Sequence, residues 1–257
     1  KCVANADDPW FERMCARASA QVLTTGLHSR ADLHARDVEL LSDSVRFTAV
    51  TATEQVAVKL PIPGKFSVYN ALTVLGCAMQ LGVCLQDAAT ALETANGVKG
   101  RVEVVPTPGK PYTVLIDYAH TPDGLENVLG FVKGFCKGRL IAVFGCGGDR
   151  DPVKRPAMGQ IGVEMADYAI ITSDNPRTEE PMAIIRDILK GVDPAKKNYE
   201  IIENRPAAIR HAMDIAKKND IIVLAGKGHE TYQQIHGARH HLDEREVVAA
   251  HLEETRE

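Results

Sequence analysis

Ser173-Asp174-Asn175-Pro176-Arg177-Thr178-Glu179-Glu180-Pro181 follows Tyr168-Ala169-Ile170-Ile171-Thr172, a short apolar, β-branched run that reads as a buried parallel strand. Beyond Pro181, apolar residues recur at helical spacing from Met182 to Leu189. The stretch is therefore a strand-to-helix loop at the carboxyl end of a strand, where open α/β sheets bind ligands. Pro176 stiffens the turn and drives Asn175 out of the helical region. Asp174 offers a carboxylate, Asn175 an amide, and Arg177 a planar fork that can grip another carboxylate. Opposite charges held a few residues apart on a rigid turn suit a zwitterion such as an amino acid. An Asx-type turn with Arg177 in a surface ion pair accounts for the same residues without a ligand.

Working outward, strand and helix alternate regularly on both sides of this loop. Strands are expected over 112–117, 139–144, 168–172, 199–202 and 221–225, with helices over 122–135, 153–165, 181–190, 206–217 and 244–252. That rhythm predicts a parallel, doubly wound, Rossmann-like α/β domain. In such a sheet every strand-to-helix loop opens on one rim. The other loops on that rim are Asp117-Tyr118-Ala119-His120-Thr121-Pro122, Gly145-Cys146-Gly147-Gly148-Asp149-Arg150-Asp151 and Gly226-Lys227-Gly228-His229-Glu230. Tight turns and helix caps explain each loop singly but explain all four together poorly. Neither glycine-rich loop has the GxGxxG order or the GxxxxGK[ST] of a Walker A motif.

Before the break at Gly97-Val98-Lys99-Gly100 the rhythm differs, and a domain boundary is expected there. Lys1-Cys2-Val3-Ala4-Asn5 reads as a strand already under way, with Asp7 or Asp8 capping the segment that follows. Residues 22–25 are a second strand. From 31 to 60 the alternation of Val38 and Leu40, Val45 and Phe47, and Val56 and Val58 suggests an antiparallel meander. Two helices are expected over 67–81 and 86–95.

Composition is that of a globular chain: 257 residues, 45% hydrophobic and 25% charged. The net charge of −4 and 5% aromatic content give no footprint for nucleic acid. No apolar run approaches the roughly 20 residues of a membrane span. Six cysteines without a CxxC pair read as reduced, mostly packed thiols of a cytosolic protein. The nine histidines show no metal-ligand spacing, and His240-His241 reads as a solvated pair, so no metal site is expected.

Asn5-Ala6-Asp7-Asp8, Val68-Tyr69-Asn70-Ala71, Gly100-Arg101-Val102-Glu103, Asp117 to Pro122, Gly147 to Asp151, Asp174 to Arg177 and Gly226 to Glu230 occur in an order that resembles the Mur ligases of peptidoglycan synthesis. Among these, the sequence resembles those that add meso-2,6-diaminopimelate. The resemblance implies that residues 1–97 match the later part of the central ATP-binding domain. It implies that 98–257 match the C-terminal Rossmann-like, amino-acid-binding domain, with a hinge at Gly97–Gly100. Arg150, Asp174, Asn175, Pro176, Arg177, Gly226 and Glu230 then fall at the positions that bind diaminopimelate, the arginines for carboxylates and the acids for ammonium groups. Asn70, Arg101, Asp117 and His120 fall where the family contacts ATP, although His120 could equally be a hinge residue and Asp117 a helix-cap acceptor.

The implied reaction is ATP- and Mg2+-dependent amide formation on UDP-N-acetylmuramoyl-L-alanyl-D-glutamate through an acyl phosphate. The Walker A lysine, the magnesium ligands and the UDP-sugar domain of the family are not in this sequence, and no residue is singled out as catalytic. The implied setting is cytoplasmic, with the protein acting as a monomer. Two other readings are an amino-acid-binding module without turnover of its own, and a related ligase such as folylpolyglutamate synthase.

Overall fold

The structure, a computed structural model, describes residues 1–28 and 30–255. The chain divides into two compact units, Lys1–Gly97 and Val98–Glu257.

The first unit holds β1 (Cys2–Asn5), α1 (Phe11–Cys15), β2 (Val22–Gly26), β3 (Leu33–Leu40), β4 (Val45–Val50), β5 (Gln55–Leu60), α2 (Lys65–Gln80) and α3 (Leu85–Leu92). The strands lie side by side in chain order, parallel from β1 to β3 and antiparallel from β3 to β5. Alternation in β4 and β5 puts Val45, Phe47, Ala49, Val56, Val58 and Leu60 inward against Leu72, Leu75 and Leu85 of the helices. In β3 the expected phase fails: Val38 is 37% exposed. The register slips between Arg36 and Glu39, and Asp37 takes a left-handed φ of 55°. This is a bulge that turns Val38 outward. Neither Asp7 nor Asp8 is the N-cap of α1, which Trp10 provides without a side-chain bond. Asp8 instead accepts from the Trp10 amide (2.8 Å), and Asp7 reaches the Leu27 amide (2.6 Å) and the Tyr69 hydroxyl (3.1 Å).

The second unit contains β6 (Glu103–Val105), β7 (Thr113–Asp117), α4 (Pro122–Lys133), β8 (Leu140–Phe144), α5 (Lys154–Met165), β9 (Tyr168–Ile171), α6 (Pro181–Leu189), β10 (Tyr199–Ile201), α7 (Arg205–Ile215), β11 (Ile221–Ala225), β12 (Tyr232–Ile235), β13 (Ala238–His241) and α8 (Glu244–Glu254). Its sheet has the order β10-β9-β8-β11-β7-β6, parallel throughout except for the antiparallel edge strand β6. Every residue of β8 and β11 is buried, as expected for strands covered on both faces. Val114, Ile116, Ile141, Val143, Ile222 and Leu224 share one core with Ala208 and Ile209 of α7 and Val248 of α8. The alternate residues face the other way. There Phe144 meets α5 so closely that a Cβ on Gly162 would lie 2.3 Å from its ring.

Two features were not legible as strands. β6 has three residues, and the β12–β13 hairpin is polar (Tyr-Gln-Gln-Ile, Ala-Arg-His-His). The hairpin turns on His236 and Gly237, both at positive φ (47° and 80°), the geometry of a tight two-residue loop. His240 and His241 stand exposed on its outer strand. The six cysteines are free, but only Cys146 is buried; Cys77 and Cys84 are exposed, against the expectation of mostly packed thiols.

Candidate functional site

The chain skips from β7 to β8 and returns to insert β11 between them, so the loops after β7, β8, β9 and β11 converge at a topological switch point. They enclose an open pocket of about 260 Å³ whose walls include His120, Arg150, Asp174, Asn175, Arg177, Gly226 and Glu230. Pro176 is buried beneath the wall, and a Cβ on Gly148 would lie 2.0 Å from its carbonyl oxygen. The β8 and β9 loops thus touch backbone to backbone, which requires glycine at 148.

The Asp174–Arg177 loop is held by the hairpin. Gln233 Nε2 donates to the Asp174 carbonyl (2.6 Å), and the Gln234 amide donates to Asn175 Oδ1 (2.9 Å). The Arg177 amide donates to the Gln234 carbonyl (2.9 Å), and the His236 amide to the Arg177 carbonyl (2.6 Å). Arg177 is pinned at a left-handed φ of 56° while its Nη1 donates to the Gly148 carbonyl at 2.7 Å. A non-glycine residue in this region costs energy that the surrounding bonds must offset, as is common where a side chain is aimed at a ligand. Asp174 is 7% exposed, and its Oδ1 accepts from the Asn175 amide (2.6 Å). Gly226, at φ 116°, leaves room for its Oδ2, which would lie 2.6 Å from a Cβ at that position.

Glu230 does not stand alone in the pocket. Its Oε2 accepts from Asn175 Nδ2 (2.8 Å) and pairs with Lys227 Nζ (3.0 Å). Lys227 is completely buried, with Nζ 3.3 Å from Asn175 Oδ1 and 5.5 Å from the centre of the Tyr232 ring. A buried ammonium requires such a set of partners. Lysine ordinarily reads as a surface residue, so sequence reasoning placed Lys227 on the rim without revealing its burial.

The residues expected toward the nucleotide are arranged differently. Asp117 is buried and accepts from the Val102 and Ala119 amides (2.8 Å each). Burial raises its carboxyl above the usual range, against the lowering effect of those two bonds. It is not the cap of α4, since Thr121 Oγ1 accepts from the Gly124 amide (3.1 Å) there. Arg101 lies over the Tyr118 ring at 5.6 Å, and the same ring stands 4.6 Å from His120 and 5.2 Å from His229. Neither Arg101 nor Asp117 lines the pocket, and Asn70 is an exposed residue of α2 in the first unit.

A doubly wound unit with a charged pocket at its switch point defines a class of ligand-binding α/β domain, and family comparison narrows it. Residues 1–78 match the Mur ligase middle domain, and 100–228 match the Mur ligase, glutamate ligase domain. The chain belongs to the Mur ligase family.

Over 98% of its length it is 47% identical to a UDP-N-acetylmuramoyl-L-alanyl-D-glutamate--2,6-diaminopimelate ligase of Clostridium botulinum, covering 52% of that protein. Over 88% of its length it is 49% identical to the ligase of the same name from Clostridioides difficile, covering 46% of it. A solved structure of a ligase with that name superposes with a TM-score of 0.83 at 37% identity, covering 99% of this chain and 53% of the other. The chain thus spans about half the length of the curated relatives it matches.

Proposed function

We propose that the intact protein carrying this chain joins meso-2,6-diaminopimelate to UDP-N-acetylmuramoyl-L-alanyl-D-glutamate, using ATP, in the cytoplasmic stage of peptidoglycan synthesis. The observation that carries the reading is the fixed Asp174–Arg177 loop facing Arg150 and Glu230 across one pocket. Arg150 and Arg177 present cations to the two carboxylates of the amino acid, and Asp174 and Glu230 present acids to its ammonium groups. The names of the similar proteins support this choice of acceptor.

The pocket's work is positioning: it holds the diaminopimelate amine in line with an activated D-glutamyl carboxyl, which saves the entropy of a bimolecular encounter. The γ-phosphate of ATP supplies the activation. The C–N bond forms as the C–O bond to phosphate breaks, and the electron pair and the amine proton leave with the phosphate. Arg101, Tyr118 and His120 form an aromatic and cationic wall suited to a nucleotide, and Asn70 is assigned to the adenine by resemblance. Mg2+ is the expected companion of ATP. Among the described residues no three His, Cys, Asp or Glu side chains converge in a group that could hold the ion.

ATP consumption by the intact protein tests the reading. It should require both UDP-N-acetylmuramoyl-dipeptide and meso-diaminopimelate, and L-lysine should substitute poorly because it leaves Arg177 without a carboxylate. Equal turnover with L-lysine would remove the assignment of Arg177.

A further inference from the structure

Three cations line the pocket, Arg150, Lys154 and Arg177, and none of them enters an ion pair among the described residues. Neighbouring basic residues behave otherwise: Arg155 is bound to Glu179 (2.8 Å) and Asp187 (2.9 Å), and Lys227 to Glu230 (3.0 Å). The unpaired cations fall into two groups. Arg150 and Arg177 rest on the β8 loop, where Arg150 Nη1 donates to the Asp149 carbonyl (3.1 Å) and Arg177 Nη1 to the Gly148 carbonyl (2.7 Å). Lys154, the first residue of α5, reaches the β7 loop, where its Nζ donates to the His120 carbonyl at 2.7 Å. That carbonyl fixes the ammonium and uses one of its three N–H donors.

Diaminopimelate brings two carboxylates, and the two arginines match them. A third unpaired cation on the opposite wall implies a third anion. We propose that Lys154 holds a phosphoryl oxyanion: it grips the phosphate of the acyl phosphate and receives the negative charge that builds on that phosphate as the amine displaces it. This rests on the acceptor reading of the pocket. An ammonium is a compact point charge suited to phosphate, whereas the planar forks on the other wall suit carboxylates. The location fits as well, since the loop that anchors Lys154 carries His120 and adjoins the Tyr118 ring beneath Arg101. When the C–O bond breaks, its electron pair stays on the phosphate oxygen and the amine proton goes to that phosphate. A fixed cation there stabilises the leaving group without reorganisation.

The test is an amide NMR titration of this chain with inorganic phosphate at constant ionic strength, and separately with meso-diaminopimelate. Wild type, Lys154→Gln and Lys154→Arg are compared after thermal melts show that each is folded. Phosphate should shift the amides of 118–121 and 154 in the wild type. Lys154→Gln should weaken this response roughly ten- to hundred-fold, the scale of one charge-assisted bond, and Lys154→Arg should retain part of it. The diaminopimelate response at Arg150, Arg177 and Glu230 should be unchanged in both variants. A phosphate response absent from the wild type, or equal in Lys154→Gln, would overturn the proposal. So would loss of the diaminopimelate response in Lys154→Gln, which would make Lys154 a carboxylate ligand. If diaminopimelate shifts nothing in any of the three proteins, the acceptor reading fails, while the phosphate titration still reports on Lys154 by itself.

Discussion

At the scale of single residues, the site is made by strained or buried groups whose partners can be named. Val102, Asp149 and Arg177 all have left-handed backbones, at φ 42°, 51° and 56°, and Arg177 lines the pocket. Each is locked by side-chain or backbone bonds: Val102 to Asp117, Asp149 to Thr178, Arg177 to the hairpin. Gly148→Ala should destabilise the second unit by about 1–3 kcal/mol, because its methyl group would overlap the Pro176 carbonyl. Chemical denaturation checks this, with Gly130→Ala of the same unit, whose methyl group would meet only the end of the Met165 side chain at 3.4 Å, as a companion.

Cysteine reactivity is a second residue-scale expectation. Burial pushes the Cys146 thiol up to about 12, while Cys77 and Cys84 are exposed. Iodoacetamide at neutral pH should label Cys77 and Cys84 and spare Cys146 until the chain unfolds. Peptide mapping of the labelled protein reads this directly.

At the scale of elements, the residues of the Asp174–Arg177 loop were legible in sequence because Pro176 and the flanking apolar runs mark a loop between strand and helix. What holds the loop was not. The β12–β13 hairpin carries no apolar alternation, since it packs its backbone and the Gln233 side chain on the loop rather than a hydrophobic face on a core. Gln233→Ala should therefore cost about 0.5–1.5 kcal/mol in stability and weaken acceptor binding without touching the acceptor.

The loop after β11 is anchored from behind by Arg205 and Glu244. Both are fully buried and 2.7 Å apart, and Arg205 Nη2 also donates to the Ala225 carbonyl (2.8 Å). Their remaining Nη1 and Oε2 atoms have no hydrogen-bond partner among the described residues. Arg205→Met alone should lose about 3–5 kcal/mol by stranding the Glu244 charge. The Arg205→Met/Glu244→Leu pair should recover much of that loss in a denaturation series. These two residues open their helices, and nothing in local spacing distinguishes them from surface charges.

At the scale of the whole chain, β1 of the first unit is paired on one side only among the described residues. Its large exposed apolar residues include Trp10 (57%), Met14 (77%), Val74 (52%) and Leu81 (82%). The second unit has strands buried end to end. Hydrogen exchange should show slower amides in β8 and β11 than in any strand of the first unit. Equal protection would contradict this.

The second unit also carries an acid-sensitive network. Arg245 joins Glu103 and Asp243, and despite the opposing effect of burial its hydrogen bonds hold both carboxyls below their usual range. Depressed folded-state values mean that this stabilisation is complete above the unfolded values of about 4 and is lost as pH falls through the folded ones. In Arg245→Met that acid-linked loss should shrink, as a pH series of thermal melts would show.

Apart from β6 and the β12–β13 hairpin, the order of strands and helices in the second unit was readable from periodicity. The insertion of β11 between β7 and β8, which creates the switch point, has no periodic signal and is seen only in the sheet order of the structure. The central claim is that this rim recognises a diamino acid with two carboxylates. The most direct test is an NMR titration of the chain with meso-diaminopimelate, with L-lysine as competitor and Arg177→Ala as control. The account predicts selective shifts near Arg150, Arg177 and Glu230 that L-lysine reverses poorly and that weaken roughly ten- to hundred-fold in the variant. Shifts that L-lysine matches, or that survive in Arg177→Ala, would contradict it.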